Sequence, residues 1–250
     1  MTPGGDSPRR TGAGTGPDAG TVDAAGARLA LGRGSAVVLP NPAPLTRVVA
    51  GTDPRAVNTA KGRPADQAVA LWAHDPAIVP ALDAALDLDA RLLAAAHRLL
   101  EEERVTLLLP LRAAGRVPSW LEPACQDGWT LLFGARWTPL LPVLAGFPVL
   151  YVSSANRTGH PPAATAAEAV AMFPPDVPVL GTDAPADAPP TGRGLAGAPR
   201  AATTTLRLHP DGTVGLHRRG AQDAARPDAG DYLRYVRTAY TDPGTAGPLR

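Results

Sequence analysis

Apolar residues along this chain fall into two alternating patterns. Short apolar runs at 36–39, 105–109 and 129–133, closed by Pro40, Pro110 and Gly134, predict buried strands, and 45–51, 68–72 and 148–152 read as further strands. Between them the apolar positions take helical spacing. Residues 22–32 predict a small helix that carries Leu29 and Leu31 and is stopped by Gly32 or Gly34. A brief helix follows Thr52-Asp53-Pro54, with Thr52 or Asp53 as its cap and Pro54 in its first turn. Residues 76–103 form the longest helical stretch, through Leu82, Leu86, Leu92, Leu93, Ala96, Leu99 and Leu100, with a break near Leu88-Asp89. Shorter helices are expected at 140–145 and 165–173. Strands at 203–208 and 213–218 would meet at an Asp211-Gly212 turn. Tyr232, Leu233, Tyr235, Val236 and Tyr240 give a tail helix an apolar side that could dock on the body.

Strands alternating with helices imply an α/β architecture, in which loops at the carboxyl ends of strands carry ligands. Residues 153–159 follow a strand in that way. The prolines of 41–44 exclude regular structure there. Residues 174–201, rich in Pro, Ala, Gly and Asp and without a period, read as a mobile loop. Residues 1–21 lack large apolar side chains and read as a disordered tail, 22–221 as the domain, and 222–250 as a C-terminal tail with a short helix.

Composition narrows the function. A net charge of +1 argues against a strongly electrostatic nucleic-acid binder but leaves local basic patches open. One cysteine, Cys125, excludes an internal disulfide framework and fits a reducing compartment. No apolar run reaches membrane-spanning length and the N-terminus has no signal h-region, so a cytoplasmic protein is expected, with no membrane partner. No Cys/His set has metal-ligand spacing, and no metal site is expected. Glu101-Glu102-Glu103 reads as a solvated helix end. Cys125 reads as a buried small residue, and Trp120, Trp129 and Trp137 as core or cleft walls.

One residue stands apart. Lys61 is the only lysine among 24 Lys+Arg residues, and Arg63 follows it across Gly62. A compact ammonium beside a planar guanidinium fork is the chemistry that meets a polyphosphate or carboxylate. A lysine kept by chance is the competing explanation, since short motifs recur without function.

Three segments together resemble the YrdC-like family, whose founding activity is threonylcarbamoyl-AMP synthesis for the tRNA modification t6A. Ala60-Lys61-Gly62-Arg63-Pro64 resembles its K-x-R motif, and Ser153-Ser154-Ala155-Asn156-Arg157-Thr158-Gly159 its S-x-N motif, written T-S-A-N-x-S-G. Val105-Thr106-Leu107-Leu108-Leu109-Pro110 is similar to its L-T-L-V-L-P strand. Thr204-Thr205-Leu206 and Arg218-Arg219-Gly220 are similar to its S-T-V segment and closing R-x-G. Order and spacing agree over residues 27–221.

The resemblance implies a twisted mixed β-sheet with helices packed around it and a concave basic cleft. It implies a nucleotidyltransferase in which ATP, entering with Mg2+, bicarbonate and an amino acid (threonine) give a carbamoyl-adenylate and pyrophosphate. It also admits tRNA or double-stranded RNA as a partner. Carried over by position, Lys61 and Arg63 would hold phosphates or the carbamoyl carboxylate. Ser154 and Asn156 would hydrogen-bond at the phosphate, Gln67 would join the nucleotide set, and Arg218 would close the cleft on the nucleotide. Arg136 and Thr204 would face the substrate.

The departures concern the amino-acid side. The family's P-T-E/D-T-x-Y-G-L is here Pro40-Asn41-Pro42-Ala43-Pro44-Leu45-Thr46-Arg47, and a histidine usual after the lysine is Trp72, which would make the pocket less polar. Three functions stay open: the threonine enzyme, a carbamoyl- or acyl-adenylate enzyme with another amine, and a non-catalytic nucleotide- or RNA-binding paralogue.

Overall fold

Alternation within the apolar runs decides the architecture. The computed structural model describes residues 20–135, 137–181 and 199–242. Its strands are β1 (Thr21–Val22), β2 (Val37–Leu39), β3 (Val48–Gly51), β4 (Ala70–Trp72), β5 (Thr106–Pro110), β6 (Cys125–Gln126), β7 (Trp129–Phe133), β8 (Tyr151–Ser154), β9 (Val179–Leu180), β10 (Thr205–Leu208) and β11 (Val214–Arg218). They form one mixed 11-stranded sheet in the order β1-β9-β2-β3-β8-β4-β7-β5-β10-β11, with β6 on β7. The helices are α1 (Ala24–Gly32), α2 (Pro54–Ala60), α3 (Val79–Ala85), α4 (Ala90–Arg98), α5 (Leu141–Leu144), α6 (Ala166–Met172), α7 (Ala221–Ala224) and α8 (Ala229–Val236). The α/β class and the mixed sheet flanked by helices are as expected.

Successive side chains of a strand enter different cores. Val38, Val49, Leu71, Leu132, Tyr151 and Leu206 join one core with Val57 of α2, Leu82 of α3, Leu92 of α4, Ala169 of α6 and Tyr232 of α8. Val37, Val48, Ala70, Trp72, Phe133 and Val152 join the other, whose helical cover among the described residues comes from Ala27 and Leu31 of α1, Val143 and Leu144 of α5 and Ala221 of α7. That thinner cover leaves part of the second face to line a cleft. Among the described residues no helix is long and apolar enough to cross a membrane.

Three expectations change. Residues 174–201 contain β9, which pairs parallel with both β1 and β2; the stretch 182–198 lies outside the described residues. Thr21 belongs to β1 rather than to a tail, while 1–19 lie outside the described residues. Cys125 is only half-buried, its thiol donating to the Leu121 carbonyl.

The glutamate run changes most. Glu101 and Glu102 are exposed, but Glu103 is 5% exposed and accepts from the phenols of Tyr232 (3.1 Å), Tyr235 (3.2 Å) and Tyr240 (3.4 Å). Leu99–Glu103 is a π-helical turn, and Glu103 continues the buried face of Leu92, Ala96 and Leu99, whereas Glu101 and Glu102 fall on the outer face. Burial pushes the carboxyl up, and the three phenols partly offset that. The tyrosines of the tail helix thus serve one buried carboxylate and tie residues 221–241 to the body.

Candidate active site

The site begins with a well-capped helix. Asp53 accepts from the Arg55 N–H at 2.8 Å, Pro54 occupies the first turn, and α2 ends at Lys61. Gly62 then takes φ +65°, a left-handed conformation suited to glycine, and the chain turns back so that the Arg63 N–H reaches the Asn58 carbonyl at 3.2 Å. Asn58 is fully buried. Its Oδ1 accepts from Arg63 Nε at 2.5 Å, and its Nδ2 donates to the carbonyls of Ala65 (2.9 Å) and Gln67 (2.7 Å). The Arg63 fork is therefore fixed from behind, while its Nη2 is buried with no partner. A buried donor left unmade is costly, and a ligand anion would satisfy it.

The second half of the site comes from β8. Antiparallel pairing sets Ser154 opposite Val48, and the Ala155 N–H donates to the Arg47 carbonyl at 2.9 Å. Lys61 Nζ donates to the Ser154 carbonyl and to Asn156 Oδ1 (2.8 Å), and the Ser154 hydroxyl donates to the same Oδ1 at 2.6 Å. Lys61 and the serine–asparagine pair, 93 and 95 positions apart, thus converge.

Their roles differ from the expectation in two respects. The Asn156 amide is spent within its own turn, its Nδ2 donating to the His160 carbonyl at 2.9 Å, and Asn156 does not line the cleft. Lys61 is 4% exposed and sits behind Ser154 rather than standing open. Burial, and then the like charges of Arg63 and Arg218, bring its ammonium down to about 7.

A cleft with a cavity volume of about 270 Å³ runs across the second face of the sheet. The register gives its floor: Val48 opposite Ser154, Val152 opposite Ala70, Phe133 opposite Thr106, Thr106 opposite Thr205, and Thr205 opposite Arg218. Val48, Val152, Ala70 and Phe133 make an apolar strip between polar ends. Arg47, Arg63, His217 and Arg218 line the walls, and no lining residue among those described is a carboxylate. The basic cleft expected from the sequence is present.

The remaining site residues sort by strand parity. Thr203 and Thr205 line the cleft, so Thr204 points to the opposite face. It is fully buried and donates to Asp223 Oδ1 at 2.8 Å, which corrects its assignment as a substrate contact. Gln67 and Arg218 line the cleft as expected; Arg218 is exposed and donates to the Thr203 carbonyl at 3.3 Å. Trp72 does not reshape the pocket directly. It is fully buried and does not line the cleft, its Nε1 donates to the Ala135 carbonyl at 2.8 Å, and its ring meets the cleft residue Phe133 edge-on. Arg136 lies outside the described residues.

The sequence reading missed Arg47, Asn58, Thr203, Thr205 and His217. A polar residue between Val57 and Ala60, on the buried side of a short helix, was the available signal for Asn58.

The depressed Lys61 ammonium gives a testable linkage. An anion beside it favours the charged form, so binding raises its pKa above about 7. From pH 7 upward, binding should then take up as much as one proton, and affinity should fall by up to about tenfold per pH unit. Below pH 7 this group contributes no slope. Calorimetry with ATP in buffers of different ionisation enthalpy checks it, and an absence of proton uptake at pH 8 would contradict it.

No family model matches this sequence, and no curated protein matches it. Solved structures share its fold. A P. abyssi Sua5 structure complexed with L-threonine is 18% identical, with a TM-score of 0.54 over 80% of this chain and 55% of that one. E. coli YciO is 13% identical, with a TM-score of 0.55 over 79% of this chain and 88% of that one. Full-length HypF, in a phosphate- and nucleotide-bound form, is 16% identical, with a TM-score of 0.54 over 82% of this chain and 30% of that one. This chain spans about half the length of the Sua5 structures it matches. The twisted mixed sheet with its flanking helices is the architecture of these proteins.

Proposed function

We propose that this chain is a divergent YrdC-like nucleotidyltransferase that makes a carbamoyl-adenylate from ATP, bicarbonate and an amino acid, with threonine the acceptor named by resemblance and t6A formation on tRNA the use of its product. One observation carries the reading: a buried, unpartnered Arg63 Nη2 in a cleft whose described lining is cationic and free of carboxylate. Such a cleft fits a polyphosphate and a carbamate, both anions. The fold neighbours support the same chemistry by analogy, one holding L-threonine and another phosphate and nucleotide.

In the proposed reaction the amine nitrogen bonds to the carbonate carbon and water leaves. A carbamate oxygen then attacks the α-phosphate, and pyrophosphate departs. No side-chain nucleophile is needed, and the protein contributes positioning and charge. Arg63 and Arg218 would hold the anionic groups from either end of the cleft, while Lys61 and Asn156 would set the Ser154 turn. Mg2+ would enter on the phosphate oxygens, as it commonly does, because the described residues contain no cluster of His, Cys, Asp or Glu for it.

The test is pyrophosphate release by the full chain. Release that requires ATP, bicarbonate and threonine together is the expected result, and release with another amino acid would move the acceptor but keep the chemistry. ATP binding without release under any amine would reduce the protein to a nucleotide-binding relative, and no ATP binding would overturn the assignment.

A further inference from the structure

The turn that carries Arg63 is held by a side chain that does not itself line the cleft. Asn58, in the last turn of α2, is fully buried. Its Oδ1 accepts from Arg63 Nε at 2.5 Å, and its Nδ2 donates to the carbonyls of Ala65 at 2.9 Å and Gln67 at 2.7 Å. A carbonyl only accepts and Nε–H only donates, so the amide has one workable orientation. One acceptor and two donors at this reach make the set of a neutral primary amide. Aspartate lacks the donors, and serine lacks the reach. Closing the end of α2 does not explain the choice, because the Asn58 main-chain carbonyl does that for the Lys61 and Arg63 N–H groups (3.1 and 3.2 Å), as any residue's would. The side-chain bonds run past the helix, to Arg63 and Gln67 of the cleft lining and to Ala65 between them.

Two consequences follow for an incoming anion. A guanidinium can grip two oxygens side-on, through Nε and one terminal amine, or end-on, through Nη1 and Nη2. Asn58 already holds Nε, so the end-on pair is left, and it contains the buried Nη2 that has no partner. The second consequence concerns charge. An amide aims the fork without neutralising it: Arg63 makes no ion pair among the described residues, and burial alone brings its guanidinium down. A carboxylate in the same place would hold Nε more strongly, cancel the charge and pull the fork back from the cleft.

We infer that Asn58 is a positioning residue of the anion site: its neutral amide presents Arg63 end-on to the ligand with the full positive charge, and braces Gln67 on the same wall. This rests on the reading of Arg63 as an anion contact in carbamoyl-adenylate formation. The ligand group is an anion with two oxygens on one centre, lying in plane with Nη1 and Nη2. A phosphate of the nucleotide and the carbamate both have that chemistry.

The experiment compares wild type, Asn58→Asp, Asn58→Ser, Arg63→Lys and the two double variants as full chains, each well below its own melting temperature. Calorimetry with a non-hydrolysable ATP analogue reads a phosphate contact, and the bicarbonate KM of pyrophosphate release reads a carbamate contact. One of the two should worsen by about tenfold or more in Asn58→Asp, and by less in Asn58→Ser, where no carboxylate competes for the fork. In the Arg63→Lys background the same substitutions should cost no more than about twofold further, because the effect passes through Arg63. The Arg63 Nε–H resonance, assigned by its absence from Arg63→Lys, should stay in place when the analogue, bicarbonate and threonine are added together. Equal losses in both backgrounds would make Asn58 a purely structural residue, and a displaced Nε–H resonance would mean a side-on grip; either result overturns the inference. Should wild type bind the analogue but release no pyrophosphate with any amine, the carbamoyl-adenylate reading fails by itself. The analogue arm then decides for Asn58, and unchanged analogue affinity in Asn58→Asp overturns its role. A wild type that does not bind the analogue sinks both.

Discussion

Lys61→Met is expected to abolish turnover and to weaken ATP binding roughly a hundredfold, with little loss of stability. Methionine keeps the apolar stem and removes the ammonium. The Ser154 carbonyl and Asn156 Oδ1 would each lose a charged donor. Those bonds exist without ligand, so the loss of affinity comes from the positive charge missing near the bound anion and from a Ser154 turn no longer held, and about 1.4 kcal/mol is tenfold in affinity. Stability should hold because the fold disfavours the charged amine, as its descent from 10.5 to about 7 records. A group kept at a cost to folding is what a binding site requires. Lys61→Arg should fail nearly as badly, since a guanidinium is too broad for the enclosed space behind Ser154 and cannot reproduce the ammonium's geometry at two fixed acceptors. ATP affinity within threefold of wild type in Lys61→Met, measured by calorimetry on a protein with an unchanged melting temperature, would remove Lys61 from the site.

How much of this was legible in the sequence follows from the physics of each signal. Strands β2, β5 and β7 announced themselves as apolar runs that end at or just before a proline or glycine, and β4 and β8 by the run alone. β9 escaped because two residues, Val179 and Leu180, carry no period of their own and become a strand only through the partners that β1 and β2 supply. The convergence of Lys61 with Ser154 was legible through the resemblance, which pairs the K-x-R and S-x-N motifs, while the lone lysine among arginines singled out only one half of it. The orientation of Asn156 was not, since it depends on which carbonyls its turn leaves open.

Thr204 was a different kind of miss. Matching a motif fixed the position but not the parity, although Leu206 and Leu208, both in the core on the opposite face, already place Thr204 with them. Glu103 was misread because charge runs are usually solvated, although it follows Leu92, Ala96 and Leu99 at helical spacing and Glu101 and Glu102 do not. Its partners, three tyrosines more than 120 residues downstream, looked like an apolar stripe because a tyrosine ring and its hydroxyl are satisfied by different surroundings.

The largest loss of stability is expected from Asp223→Ala, at about 3 kcal/mol. Asp223 is fully buried in α7, and its Oδ1 accepts from the Thr204 hydroxyl (2.8 Å) and the Gly220 N–H (2.6 Å), while Oδ2 accepts from Arg219 Nε (2.8 Å). Stranding the first two donors costs about 1–3 kcal/mol each. The backbone offers no room to adjust, since a Cβ on Gly220 would sit 2.3 to 2.5 Å from the backbone of Ala202, Thr203 and Thr204. For a chain of this size the loss corresponds to a melting temperature lower by roughly 6–12 °C. Burial alone would push the Asp223 carboxyl up, but the bonds from Gly220, Arg219 and Thr204 more than offset that and leave it below the usual range. Its contribution is therefore complete above the ordinary carboxylate pKa and fades as pH falls through the depressed one. The melting curves of wild type and Asp223→Ala should accordingly draw together only in strong acid. Because Arg218 and Thr203 stand on the same clamp, ATP affinity should fall with stability, and Asp223→Asn, which keeps Oδ1 for both donors but loses the charge and the Oδ2 acceptor of Arg219, should lie between. Equal melting temperatures for wild type and Asp223→Ala at neutral pH would mean that the clamp does not hold the cleft wall, and that Arg218 is positioned by β11 alone.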